Sequence, residues 1–194
     1  MKRTALSLAA AALMLSSAAF AQGYVGIAGG ASKVDVDCAG TTTCDTTSTG
    51  WKLFGGYKFT PNWAAEVGYF DFGKAKFAGS NVTTGNITAE VKGTGFGAGV
   101  ALSGEFAPSW TGVARLGVAS VKAKVSGTVT GGTLAPAGSI SDSETSTNTY
   151  FGLGVGYLIA KNMSIDGAMD FSRGKWQGEK ADVRLVSIGL TYSF

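Results

Sequence analysis

The chain has 194 residues, with 30 glycines, 3 prolines, 11% aromatic and 15% charged residues, and no histidine. Without histidine it lacks the commonest general base and the commonest metal ligand, which argues against an enzyme and against a bound metal or cofactor. The formal net charge is only +3. It falls to +1 without Lys2 and Arg3, which lie in a segment expected to be removed. So small a net charge excludes a strongly basic nucleic-acid-binding surface.

Residues 1–21 have the pattern of a secretory signal peptide. A basic start precedes a short apolar run over residues 5–15, and residues 19–21 have the small-x-small sequence of a cleavage site. The apolar run is too short to cross a bilayer as a helix. The mature chain is therefore expected to begin near Gln22 and to form a single domain over residues 22–194.

Alternating apolar and small or polar residues, separated by turn signals, predict an all-β fold of eight strands. The strands are expected near residues 23–34, 50–60, 63–75, 89–105, 110–124, 146–160, 163–173 and 181–194. Tight turns at 60–62, 107–109 and 161–162 alternate with longer polar segments at 35–49, 76–88, 125–145 and 174–180. This alternation is typical of an antiparallel up-and-down transmembrane β-barrel, with its short turns in the periplasm. An even number of strands places both termini on that same side.

One face of each predicted strand is apolar, and the other is small or polar. Glycine occupies every second position in 93–99 and 152–156, which leaves room in a narrow barrel for bulky residues of other strands. A glycine-rich nucleotide-binding loop would need a strand–loop–helix context that is missing here. A secreted lipid-binding barrel, with its apolar residues inside, is the alternative for the whole fold. Aromatic residues beside the tight turns are interpreted as an interfacial girdle: Tyr57, Phe59, Trp63, Phe106, Trp110, Tyr157, Tyr192 and Phe194.

The alternation becomes ambiguous at the end of the third predicted strand. The outward register of Ala65 and Val67 directs Asp71 towards lipid and places Phe70 and Phe72 inside. Either a β-bulge shifts the register there, or Asp71 already lies beyond the hydrocarbon.

Charged residues are expected on the inward faces. Eight strands enclose an interior that side chains fill, and charges buried there need partners. We predict a salt-bridge network centred on Arg115 with Glu66 and Asp166, which closes the lumen; separate hydrated pockets are the alternative. The whole inward set carries three cations and three anions: Lys52, Lys58, Glu66, Arg115, Asp166 and Asp170.

Two further groups of residues lie in the predicted loops or beyond the apolar faces. Cys38 and Cys44 are expected to form a disulfide in the oxidising compartment, with free or intermolecular thiols as the alternative. A cluster of cations at the outer rim suits lipopolysaccharide phosphates, although a solvated rim explains it too: Lys92, Lys122, Lys124, Lys175, Lys180 and Arg184. The loops between the strands are rich in Ser, Thr and Gly, and any unknown surface ligand would bind there.

The last eight residues alternate strictly between an apolar and a small or polar face. Gly189, Tyr192 and the terminal Phe194 resemble the insertion signal of bacterial outer-membrane barrels, which implies contact with the barrel-assembly machinery. Residues 55–69 resemble the second hairpin of the small eight-stranded barrels related to the membrane domain of outer membrane protein A and to outer membrane protein X. Residues 114–117 match the same family.

This resemblance covers nearly the whole mature chain and carries several expectations. It implies that Glu66 and Arg115 belong to the lumenal charge cluster of the family, and that the protein resides in the cell outer membrane as a monomer. Because the chain ends at the barrel, we expect no peptidoglycan-binding domain. The expected function is envelope integrity with surface loops for adhesion or defence; a narrow porin-like transporter is the alternative. The barrel enzymes that modify lipid A use histidine, so the sequence departs from them.

Overall fold

The computed structural model describes residues 22–35, 43–81, 85–130, 137–176 and 179–194. The predicted signal peptide over residues 1–21 and Cys38 lie outside these residues. The side chains of Cys44, Lys175 and Lys180 are likewise outside the described part. The predicted disulfide and the rim roles of the two lysines therefore stay predictions.

Nine β-strand segments account for almost all of the described residues. They are β1 (Gln22–Asp35), β2 (Thr43–Asp45), β3 (Thr47–Lys58), β4 (Trp63–Asn81), β5 (Gly85–Ala107), β6 (Trp110–Thr130), β7 (Gly138–Ala160), β8 (Met163–Trp176) and β9 (Glu179–Ser193). Within those residues there is no helix of the length and apolar character needed to cross a membrane.

The eight long strands close into an antiparallel barrel. Each pairs with its neighbours in sequence, and β1 pairs with both β3 and β9, which joins the two ends of the sheet. The short β2 pairs with residues 76–78 of β4 and so continues the line of β3. The predicted all-β, eight-stranded up-and-down topology is confirmed.

The strands are strongly staggered around the barrel. A path across paired residues that starts at Gly23 of β1 returns to β1 at Lys33, ten residues further on. With a usual rise per residue and strand spacing, this stagger corresponds to a strand tilt of about 40°. The path is Gly23, Tyr57, Ala65, Val100, Leu116, Phe151, Phe171, Arg184 and Lys33.

Large apolar side chains cover the outside of the barrel. Ile188 is 66% exposed and Phe96 is 68% exposed, whereas Leu185, on the inward face of β9, is completely buried. Soluble monomers rarely expose so continuous an apolar surface. The apolar faces thus point away from the lumen, which is the opposite of what the lipid-binding alternative requires.

Aromatic pairs mark both edges of this surface, which we call the apolar band. We call the end of the barrel with the short turns the tight-turn end. There the ring centroids of Trp110 and Tyr157 are 5.1 Å apart. Towards the opposite end, the loop end, Tyr69 lies between Trp51 and Phe96 at 5.4 and 5.0 Å. The band between them is about 25 Å high if ten residues of a tilted strand span it, which matches the apolar height of membrane barrels.

Four strands continue well beyond the band, where the sequence predicted loops. The predicted loops at 76–88 and 125–145 are wrong over most of their length, because β4 and β5 are paired up to Asn81 and Gly85, and β6 runs to Thr130. The strands β5 and β7 each have 23 residues. These extensions of β4, β5, β6 and β7 form a sheet that projects from the loop end, which we call the protruding sheet.

The ambiguity near Asp71 is resolved by a bulge that comes directly after it. Phe70 and Phe72 both point inward and are buried, with stacked rings 5.8 Å apart. Asp71 faces outward, and its Oδ1 accepts a hydrogen bond of 2.8 Å from the backbone N–H of Gly73. The register shifts between Asp71 and Lys74, where Gly73 has a φ of 73° that favours glycine.

Candidate functional site in the barrel lumen and at the rim

Two buried carboxylates in the lumen are each held by one cation and one tyrosine hydroxyl. Arg115 Nε donates to Glu66 Oε1 at 2.8 Å, and the Tyr24 hydroxyl donates to Glu66 Oε2 at 2.8 Å. On the other side of the lumen, Lys52 Nζ lies 2.5 Å from Asp170 Oδ2. The Tyr150 hydroxyl donates to Asp170 Oδ1 at 2.6 Å. We call these six residues the lumenal charge cluster.

The aromatic ring of Phe54 links the two halves of the cluster. Lys52 Nζ lies 5.2 Å from the centroid of this ring, and the guanidinium carbon of Arg115 lies 5.1 Å from it. These distances allow cation–π attraction. Six strands contribute to the cluster and to Phe54, since inward positions on β1, β3, β4, β6, β7 and β8 meet at one depth.

The ion pairs of the cluster are excluded from water. The side chains of Lys52 and Asp170 are each 2% exposed, and those of Arg115 and Glu66 are 7% and 9% exposed. The two cations balance the two carboxylates, so the buried set is neutral. In such a place, removing one member of a pair costs about 3–5 kcal/mol because its partner is left buried and uncompensated.

Glycines on the inward faces provide the space that the cluster occupies. A Cβ atom at Gly56 would overlap the ring of Tyr24, and a Cβ at Gly152 would lie 2.8 Å from Asp170 Oδ1. The interpretation of the glycine-rich faces as room for bulky inward residues is consistent with these contacts. Any side chain at Gly56 would have to displace a tyrosine that itself binds Glu66.

An apolar layer fills the lumen immediately beyond the cluster on the side of the loop end. The ring centroids of Phe70 and Tyr150 are 5.3 Å apart, so Tyr150 belongs to both the cluster and this layer. The layer contains Phe70, Phe72, Ala119, Val121, Tyr150, Val183 and Leu185, all of them buried. Charge pairs and apolar side chains thus fill successive depths of the lumen.

The structure brings together four of the six predicted lumenal charges and leaves two apart. The predicted partnership of Arg115 with Asp166 is wrong, since Asp166 instead accepts hydrogen bonds from the Ser164 hydroxyl at 2.9 and 3.1 Å. Lys58 and Asp166 are half-buried and line a vestibule of about 380 Å³ at the tight-turn end. The reason is the strand register, because Arg115 lies opposite Gly152 and Gly152 lies opposite Asp170.

The sequence interpretation missed the two tyrosines of the cluster. Tyr24 and Tyr150 occupy inward positions on β1 and β7 and are 8% and 7% exposed. A signal was present, since each is a large residue with a hydroxyl, and the next two positions on the same strand face are glycine or alanine. A buried tyrosine hydroxyl needs a partner, and the carboxylates provide it.

Cations lie just beyond the apolar band on β4, β5 and β6. Lys74, Lys92 and Lys124 occupy one row across the three strands, and Lys122 lies one outward position nearer the band. We call these four residues and Lys76 the lysine row. Only two carboxylates pair with it among the described residues: Asp71 lies 3.1 Å from Lys92 Nζ, and Glu90 lies 2.6 Å from Lys74 Nζ.

The carboxylate that faces Lys74 lies beyond the membrane-spanning part of β5. The hydrogen bond from the Lys74 ammonium lowers the pKa of Glu90. Lys74 and Lys76 were not predicted as rim residues. The bulge at Gly73 reverses the alternation and turns Lys74 outward, and Lys76 lies beyond residue 75, where the predicted strand ended. On the opposite side of the barrel, Arg184 lies beside Lys33, and Arg173 Nε lies 2.6 Å from Asp182 Oδ1.

Two residues of the predicted insertion signal, Gly189 and Tyr192, lie on the last strand, and Phe194 follows its end. Tyr192 and Phe194 point outward, are 44% and 68% exposed, and have ring centroids 5.3 Å apart. Gly189 faces inward, where a Cβ would overlap the carbonyl oxygen of Ile27.

A closed eight-stranded barrel with an apolar exterior and buried charge pairs defines an integral outer-membrane β-barrel. Residues 5–194 match the family described as outer membrane protein beta-barrel domain, and the chain belongs to this family. The protein is thus an outer-membrane β-barrel protein, and the family resemblance seen in the sequence is confirmed. No curated protein matches the chain in sequence.

Several solved barrels have the same fold. Ail, the attachment invasion locus protein of Yersinia pestis, is 19% identical, with a TM-score of 0.55, over 90% of this chain and 97% of Ail. Neisserial surface protein A is 15% identical, with a TM-score of 0.55, over 89% of this chain and 97% of its own. OprG of Pseudomonas aeruginosa is 14% identical, with a TM-score of 0.54, over 90% and 94%.

Proposed function

We propose that this protein is a closed, monomeric structural barrel that supports the integrity of the outer membrane and presents a surface for adhesion or defence. The observation that carries the proposal is the lumenal charge cluster, whose two ion pairs, Lys52 with Asp170 and Arg115 with Glu66, lie across the lumen beneath an apolar layer. Eight strands leave little interior space beyond these side chains. A filled lumen favours a structural role over transport.

The distribution of cations supports an orientation with the loop end outside the cell. Lys92 and Lys124 lie directly beyond the apolar band at that end, together with Lys74. Ammonium and guanidinium groups suit the phosphates of lipopolysaccharide, which occupy the outer leaflet. This orientation places both termini, and the tight turns, in the periplasm. It also places the aromatic pair of the insertion signal, Tyr192 and Phe194, where the barrel-assembly machinery would meet it.

The surface role rests on the protruding sheet. One solved structure of Ail is a complex with the heparin analogue sucrose octasulfate. The lysine row of this protein offers an excess of cations to an anionic ligand at the cell surface. With its 23 residues, β5 covers about 60 Å along the barrel axis. It therefore reaches well past the lipid headgroups to meet other molecules.

Ion conductance in planar bilayers tests the closed lumen. The wild type should show no steady conductance, whereas Glu66→Ala should raise it, because Arg115 loses its carboxylate and the cluster opens. Lys58→Ala, in the vestibule outside the cluster, is the matched control and should leave the conductance unchanged. Steady conductance of the wild type would instead favour the narrow-pore transporter, to which the vestibule of about 380 Å³ would be an entrance.

A further inference from the structure

We infer that residues 138–143 of β7, in the protruding sheet, form a docking edge for an extended peptide. This peptide carries a cationic and an apolar residue as neighbours on one face of its strand. Residues 138–143 pair with β6 from Val129 to Lys124 on one side. On the other side, β8 pairs with β7 only between Phe151 and Ala160. Among the described residues, no strand pairs with this second side of residues 138–143, which we call the β7 edge.

The β7 edge lacks proline, lysine and a β-bulge, which are common protections against strand addition. Exposed edges are normally short, bulged, or protected by proline or charged side chains, because their unpaired N–H and C=O groups accept another strand. The one charged residue of the β7 edge is Asp142, whose Oδ1 accepts a hydrogen bond of 2.7 Å from the Ser143 N–H, and the pairing of this edge with β6 has no register shift. Its backbone is therefore a regular template on which an extended peptide can add as a further strand.

The inward face of the β7 edge offers an apolar contact. Ile140 is 59% exposed and lies in one row with Gly127, Ala89 and Phe77 across the sheet. These residues line an open trough of about 690 Å³, with the small Ala89 and Gly127 between the larger Phe77 and Ile140. A strand added to β7 would place a side chain beside Ile140 and cover it. An apolar residue at that position buries the most surface.

The charge of the β7 edge selects a cationic partner. Asp142 follows Ile140 on the same face and is exposed. Residues 125–160 contain two acidic residues, Asp142 and Glu144, and no lysine or arginine. Lys124 of β6 lies opposite Ser143, on the other face of the sheet from Asp142. A second copy of the chain would bring the same acidic edge, and like charges on facing strands are unfavourable. A foreign strand with a lysine or arginine opposite Asp142 and a valine or isoleucine opposite Ile140 satisfies both features.

This inference names a partner for the surface role proposed above. Its test uses the full-length mature protein in detergent micelles and a labelled peptide in which lysine and valine alternate with threonine, so that both share one face. Binding is measured by fluorescence anisotropy, and the site by backbone hydrogen exchange. The control peptide has the same composition, with lysine and valine on opposite faces.

The expected result is binding that slows hydrogen exchange at residues 138–143, with at least about threefold weaker binding of the control peptide. Asp142→Lys should weaken binding by a similar factor, and a peptide with glutamate in place of lysine should restore it. Glu105→Lys makes the same charge change at the tight-turn end, where Glu105 accepts a hydrogen bond from the Ser109 N–H, and should have no effect.

Four results would overturn the inference. The first three are no binding, equal binding of both peptides, and slowed hydrogen exchange only at other segments. The fourth is hydrogen exchange at the β7 edge that slows as the protein concentration rises without peptide, because it would identify a second copy as the occupant. The assay involves neither conductance nor lipopolysaccharide. Its failure would therefore leave the closed structural barrel standing, and a conducting wild type would leave the peptide result standing.

Discussion

Arg115 and Asp170 lie in one cross-strand row, separated only by Gly152, yet each binds a different partner. Arg115 Nε is 2.8 Å from Glu66, and Asp170 is 2.5 Å from Lys52. Two opposite charges in the same row therefore belong to two different ion pairs: the Tyr150 hydroxyl donates to Asp170, and the Phe54 ring lies against Arg115. The two neutral pairs lie at one depth and share the Phe54 ring, so the lumen is closed by both together.

Loss of one charge from the ion pair of Lys52 and Asp170 should destabilise the barrel more than loss of both charges. Lys52→Met and Asp170→Leu should each lower the free energy of unfolding by about 3–5 kcal/mol, because each leaves a buried charge without its partner. The double variant should lose far less than the sum. Urea unfolding in detergent or lipid vesicles, analysed as a double-mutant cycle, measures this coupling. Lys58→Met, in the vestibule, should stay within about 0.5 kcal/mol of the wild type; additive losses in the cycle would contradict the pairing.

Glycine at position 56 should be required for packing, in contrast to an outward glycine. Gly56→Ala should destabilise the barrel by about 1–3 kcal/mol, because its Cβ overlaps the Tyr24 ring that binds Glu66. At Gly167, on the apolar exterior, the nearest atom to an added Cβ is 4.0 Å away, so Gly167→Ala should be close to neutral. Thermal unfolding of the two variants compares them directly, and equal destabilisation would show that inward packing is not the cause.

The lysine row should bind lipopolysaccharide through its phosphates. Lys92→Gln and Lys124→Gln should each weaken lipopolysaccharide binding to the detergent-solubilised protein about two- to fivefold, as expected for exposed charges. The effect should diminish at high ionic strength because exposed charges are screened. Lys161→Gln, at a tight turn on the opposite end, provides the control. If Lys161→Gln alone weakened lipopolysaccharide binding, the tight-turn end would face the outer leaflet, contrary to the proposed orientation.

A bond between Cys38 and Cys44 stays a prediction, since Cys38 lies outside the described residues. If it forms, a loop of this length contributes roughly 2 kcal/mol by constraining the unfolded chain. Thiol titration of the unfolded protein should find no free thiol without reductant and two thiols after reduction. Two free thiols in protein purified from the oxidising compartment would show that the bond is absent.

Strand number, topology and the outward apolar faces could be predicted because alternation with a period of two is a local property of the sequence. The ends of the strands could not be predicted in this way. In residues 125–130 valine and glycine alternate with serine and threonine, and such a mild contrast resembles a polar loop. Pairing with β5 decides the structure there, as Gly127 lies opposite Ala89.

Membership of the lumenal cluster could be predicted only in part, for a related reason. Parity assigned Lys52, Glu66, Arg115 and Asp170 to the lumen, and the structure places all four there. The prediction of Asp166 as a partner of Arg115 depends on the similar number of residues between each of them and a tight turn, and this count ignores the stagger between strands. On β8 this count selected Asp166 rather than Asp170, an error of four residues, or about 13 Å along the strand.

The continuity of β5 and β6 from the membrane to the tip of the protruding sheet has a mechanical consequence. Their pairing is regular from Asn86 and Thr130 to Glu105 and Thr111, so a load applied at the tip runs parallel to the strands. Such a load strains many backbone hydrogen bonds at once instead of opening them one after another. A cell held by this sheet would be anchored through a shear-resistant ladder whose lower half is embedded in lipid.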